Sequence, residues 1–114
     1  MAKVKVVIVE QNGEFFVQPA VAVLDTSGTL ANTDKLKIFN STSEDLVVRI
    51  SNTAVFDTTG TNKSPQLEDV ASGASTMRQV AASATLGRYE YEIFMRKSGK
   101  KAKGNSDPVI IIDN

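Results

Sequence analysis

A chain of 114 residues, 41% hydrophobic and 23% charged, has the size and composition of one globular domain. Its 13 Lys and Arg balance its 13 Asp and Glu, which argues against a dedicated nucleic-acid binder. It has no Cys and no His. That excludes disulfides, thiolate or imidazole metal sites and both the Ser-His-Asp and Cys-His triads, leaving carboxylate, lysine, tyrosine and hydroxyl chemistry.

The dominant hydrophobic period is two, the period of a strand. Lys3 to Val9 is a β-branched run that reads as the first strand, and residues 11–13, "QNG", read as a turn, with Asn-Gly favouring positive φ. The run Val6 to Val9 is too short for a signal-peptide core and ends at Glu10, and no segment approaches the ~20 apolar residues of a spanning helix. These features predict a cytoplasmic chain without a membrane partner; a chain from which an export signal had been removed would read the same. Glu14 to Leu24 reads as one extended segment in which Pro19 marks an edge or a bend. Residues 25–34 form a loop of turn formers, and Lys35 to Asn40 alternates, with Leu36 and Ile38 inward and Lys35 and Lys37 outward. After a turn at "STSED", Leu46, Val48 and Ile50 share one face. Residues 57–66 carry the weakest pattern. Short strands follow at Gln66 to Val70 and Ser75 to Val80, with Gly73 breaking any helix across them. Gly87 opens a strand in which Tyr89, Tyr91, Ile93 and Met95 form a core stripe, opposite Arg88, Glu90, Glu92 and Phe94. The last strand is Pro108 to Ile112.

About eight strands with one wet face suit antiparallel sheets packed as a single sandwich or barrel over residues 1–114. The expected fold is an all-β Greek-key β-sandwich of seven to eight strands. Two segments carry a family resemblance. "KLKIFNSTSEDLVVRI" resembles the strand–turn–strand of cupredoxins, and "GRYEYEI" with the closing "PVIII" resembles the cupredoxin end, where a Tyr-x-Tyr strand runs into the metal loop. Tyr-x-Tyr also occurs in immunoglobulin- and fibronectin-type sandwiches, the alternative architecture. The resemblance implies a first histidine ligand near Asp45 and a cysteine ligand at Ile93. The trigonal copper site needs imidazole nitrogen and thiolate sulfur, and Ile93 offers no lone pair. The resemblance therefore implies a cupredoxin-like fold without copper, without electron transfer and without any cofactor.

The basic run between the last two strands is the sharpest local feature. Arg88, Arg96, Lys97, Lys100, Lys101 and Lys103 are 6 of the 13 basic residues, and the window 88–103 holds only Glu90 and Glu92 as acids. Arg96, Lys97, Lys100, Lys101 and Lys103 are the candidate interaction loop, able to grip a polyanion, or else a solvated hairpin that guards neighbouring strand edges. Glu90 and Glu92, about 7 Å apart along a strand, offer a carboxylate pair, and an exposed strand face explains them as well. "SGKK" matches Ser-x-x-Lys outside the helix that chemistry needs, and Glu44 with Asp45 are too few for a cation site. Sequons at Asn40 and Asn62 carry meaning only for an exported chain. The favoured expectation is a non-catalytic binding or assembly module that takes a protein partner or self-associates through a rim loop or a sheet edge, with "VKVVIV" and "VIIID" as edge candidates. The alternatives are a polyanion or nucleic-acid contact through 96–103, and a small carboxylate- or lysine-based enzyme.

Overall fold

The computed structural model describes residues 2–26, 28–104 and 107–114. Among the described residues nine strands run in chain order: β1 (Lys3–Gln11), β2 (Glu14–Gln18), β3 (Val21–Asp25), β4 (Lys35–Asn40), β5 (Leu46–Ile50), β6 (Leu67–Val70), β7 (Ser75–Gln79), β8 (Gly87–Met95) and β9 (Val109–Asp113). They form a four-stranded sheet in the order β2-β1-β4-β7 and a five-stranded sheet in the order β3-β9-β8-β5-β6. The chain is an all-β sandwich. Its only helical pieces among the described residues are single 3₁₀ turns at Leu30–Asn32 and Thr53–Val55, and no helix is long and apolar enough to cross a membrane.

Two expectations are corrected. The segment Glu14 to Leu24 is not one strand: it breaks at Pro19, with β2 in the smaller sheet and β3 in the larger. A proline supplies no N–H to a ladder, so the chain changes sheets where its pairing is weakest; this division is why nine strands stand where seven or eight were expected. The sheets are also mixed rather than antiparallel, since β1 pairs β4 in parallel and β3 pairs β9 in parallel. Strand-by-strand alternation reports which face is wet and is silent on the direction of the neighbour.

The turn between β1 and β2 follows its sequence. Asn12 (φ 53°) and Gly13 (φ 76°) both take positive φ, as a two-residue hairpin loop requires. The inner faces then meet. Val6, Ile8, Phe15, Val17, Leu36 and Ile38 of one sheet pack against Ala22, Leu24, Leu46, Val48, Ile50, Tyr91, Ile93, Met95, Ile110 and Ile112 of the other, all buried. The corners of the sandwich are held by polar side chains on backbone groups. Asn40, fully buried, gives its amide to the carbonyls of Glu44 (2.8 Å) and Val70 (3.0 Å) and accepts from the N–H and hydroxyl of Thr42. Asp34 accepts from the N–H groups of Ala2 (2.7 Å) and Asp25 (2.9 Å). The irregular stretch 57–66 is tied as well. Asp57 accepts from Thr59 and Asn62, and buried Arg78 donates to Ser64, to the Pro65 carbonyl and to Glu68.

The outer face of the smaller sheet follows from register. Lys3 lies opposite Lys35 and Lys5 opposite Lys37 across the β1–β4 ladder, and Lys37 lies opposite Met77 across β4–β7. Beyond them Val7 faces Phe39, and Val9 faces Phe16.

Candidate functional site

The candidate loop is a stitched strap rather than a free rim. After β8 the chain turns back on itself. Gly99, at φ 71°, donates its N–H to the Met95 carbonyl (3.0 Å), and Met95 donates to the Lys100 carbonyl (2.8 Å). The returning segment runs antiparallel beside β8, where β9 does not reach, with the Ala102 N–H on the Ile93 carbonyl (2.9 Å) and Ala102 itself buried. It then crosses to the smaller sheet. Lys103 donates to the Phe15 carbonyl (2.9 Å) and accepts from the Val17 N–H (2.6 Å), pairing in parallel with β2. Residues 101–103 therefore join β8 to β2 and occupy the outer edge of β2. Gly99 makes the turn possible, and small, apolar Ala102 fills the seam between the sheets.

The strap's cations mostly face partners from elsewhere in the chain. Arg96 binds the Asp69 carboxylate, Lys101 holds Glu92 (2.7 Å), Lys103 reaches Glu14 (3.4 Å), and the Lys100 ammonium donates to the Gly13 carbonyl (2.7 Å). Lys97 makes no ion pair among the described residues. Glu92 lies nine residues before Lys101, whereas Asp69 and Glu14 sit 27 and 89 residues from Arg96 and Lys103, so much of the loop's apparent imbalance exists only along the chain. The hydrogen bond from Lys101 holds the Glu92 carboxyl below the usual carboxylate range, and the same bond raises the Lys101 ammonium. Arg49 also reaches Glu92, at 3.3 Å across the β5–β8 ladder.

Glu90 and Glu92 line a small depression of about 140 Å³ with Lys101, Asp107 and Ser51. Ser43, Glu44, Asp45, Arg96 and Lys97 line a more open one. Among the described residues no group of three or more acidic side chains is placed to hold a metal ion. Asp45 accepts the Ser72 N–H (3.0 Å). Ile93 is fully enclosed in the core, together with Tyr91 and Met95. Tyr89 is half-buried and donates its hydroxyl to the Thr85 carbonyl (2.7 Å), the corner bond expected of a tyrosine near the start of a late strand.

The two strands named as edge candidates are interior strands. β1 lies between β2 and β4, and β9 lies between β3 and β8. The edge that the sequence does not mark is β3. The Ala20 carbonyl and the Thr26 N–H bond to β9, so even-numbered β3 residues face β9 and odd-numbered ones face outward. Asp34 covers the outward groups of Asp25. Val21 and Val23 stay open, the two residues 42% and 49% exposed. Apolar alternation in "VAVLD" looks like that of any half-buried strand; only the sheet order exposes it.

No protein-family model matches this chain, and no curated protein matches it. The fold class rests on its two packed sheets.

Proposed function

We propose that this chain is a non-catalytic binding and assembly module that pairs with a second copy of itself along the open edge of β3. The observation that carries this reading is the edge itself. Sheet edges in soluble proteins are usually blunted by charge, proline, bulges or a covering segment. The smaller sheet has such a cover on β2, in the strap. β6 is four residues long and carries Glu68 and Asp69. Val21 to Leu24 has none of these devices, and its exposed valines continue the outer face formed by half-buried Ile111. Two copies related by a two-fold axis would set Val21 against the partner's Val23 twice, closing about four backbone hydrogen bonds.

The cupredoxin resemblance enters this proposal as Greek-key architecture alone. Ile93 at the cysteine position offers no lone pair, and Asp45 at the histidine position is engaged by Ser72. A polyanion contact through 96–103 is weaker support for a function, because three of its five cations already hold carboxylates and a fourth holds a carbonyl. An enzyme built on Glu90 and Glu92 is weaker still. Glu92 is held ionised by Lys101, which opposes the raised pKa that a general acid needs near neutrality.

The test is light scattering across a concentration series. Dimer is expected for the native chain and monomer for Val23→Pro, whose missing N–H points away from β9 and leaves that ladder whole. Val23→Lys should act in the same direction through charge. A native chain that stays monomeric at the highest soluble concentration overturns the reading, as does a dimer that survives both substitutions.

A further inference from the structure

We infer that the outer face of the smaller sheet is a binding surface for single-stranded nucleic acid, centred on Lys3, Lys5, Lys35 and Lys37. The register places these four lysines as two directly opposed like-charged pairs on adjacent parallel strands. Directly opposed like charges destabilise a sheet, and here no neighbouring acid relieves them. Among the described residues none of the four forms an ion pair, whereas three of the five strap cations do. The only acid at an outward position of β1, β2, β4 or β7 is Glu14, which holds Lys103 at the far corner. A chain with no net charge therefore concentrates uncompensated positive charge on one sheet face.

The neighbouring rows choose among anionic partners. Beyond the lysines lie Phe39 and Val7, then Val9 and Phe16, with Met77, 43% exposed, beside Lys37. The Lys5 ammonium sits 5.3 Å from the centre of the Phe39 ring, so cation and aromatic surface meet at one point. Ammonium point charges for phosphates beside aromatic faces for bases form the general single-strand binding arrangement, which is tolerant of sequence. A duplex hides its bases and would use the lysines alone. The absence of arginine from the cluster fits backbone contact rather than bidentate reading of base edges. This face and the β3 edge lie on different sheets, so the inference stands apart from the assembly reading.

The experiment is fluorescence anisotropy with a labelled oligothymidylate of about 12 nucleotides, the matching duplex, and poly-glutamate as competitor. Four phosphate contacts predict that log affinity falls with log salt at a slope of about −3 for a single strand. Changing Lys3, Lys5, Lys35 and Lys37 together to Gln should weaken binding at least about tenfold and flatten that slope. A Lys97→Gln, Lys100→Gln chain should bind within about threefold of the native one. Phe39→Leu should weaken the single strand and leave the duplex unchanged. Because the quadruple change relieves repulsion, its thermal midpoint should not drop, which separates lost binding from lost folding. No binding of oligothymidylate at low salt overturns the inference. So does binding that ignores the four lysines, and so does a preference for poly-glutamate with no dependence on Phe39, which would make the face a dock for acidic protein.

Discussion

Two buried polar residues make opposite contributions to this sandwich. Asn40 satisfies four backbone and hydroxyl groups at once, pinning the Ser41–Asp45 turn to the end of β6. Tyr91 buries its hydroxyl in the core with no hydrogen-bond partner among the described residues, and that burial pushes its ionisation upward. Removing a partner from satisfied buried groups costs their desolvation, whereas removing an unpaired hydroxyl relieves it. Asn40→Ala should therefore lower stability by about 2–4 kcal/mol, and Tyr91→Phe should raise it by about 1 kcal/mol. Urea unfolding of both variants checks the pair, and a destabilised Tyr91→Phe chain would mean that the hydroxyl is satisfied in solution. The alternation of "RYEYEIFM" places Tyr91 inside; no pattern along the chain says whether its oxygen meets a partner.

At the scale of elements, the β1–β4 pairing carries a cost that its sequence conceals. Lys35 and Lys37 read as the outward residues of their strand, and Lys3 and Lys5 lie in a run that reads only as a strand. Only the parallel register brings them face to face. Lys37→Glu would replace a repulsion with a cross-strand attraction to Lys5 and should stabilise the protein by about 0.5 kcal/mol, more at low salt than at high. Thermal unfolding of that variant at two ionic strengths is the measurement. A variant less stable than the native chain would mean that the lysines splay apart enough not to feel one another. The strap makes the converse point. Residues 96–103 look like an excess of charge in sequence, and folding brings Asp69, Glu14 and Glu92 to them, so the loop closes the seam between β8 and β2 instead of projecting from it.

Across the whole molecule, three carboxylates report on folding through pH. Backbone and side-chain hydrogen bonds from Ser43 lower Glu10, those from Asn62 and Thr59 lower Asp57, and Lys101 lowers Glu92. A carboxyl held low in the folded state takes up protons more readily when unfolded, so its stabilisation is present above the unfolded value and lost as pH falls through the folded one. Lys101, raised by Glu92, works in the other direction, with its contribution present at neutral pH and lost as pH rises beyond its ordinary 10.5. The thermal midpoint should therefore be level through neutrality and decline once pH drops below about 4.5, the ordinary value for Glu10 and Glu92. Combining Glu10→Gln, Asp57→Asn and Glu92→Gln should flatten the acid decline. An unchanged decline would assign it to other carboxylates.

The period-two pattern, the Asn12–Gly13 turn, the inward stripe of β8, the all-β class and, through the missing His and Cys, the excluded chemistries are all legible along the chain. These are properties of single residues and their nearest neighbours along the chain, where side-chain direction and φ preference act within a few residues. What depends on partners distant in sequence emerges only on folding. The break at Pro19 sends β2 and β3 to different sheets, β1 and β9 become interior strands, Val21 and Val23 are left on an open edge, the strap's cations find acids, and four lysines are set against one another. Strand order and register arise from long-range pairing, whose energy is shared among many contacts and written in no local stretch of residues.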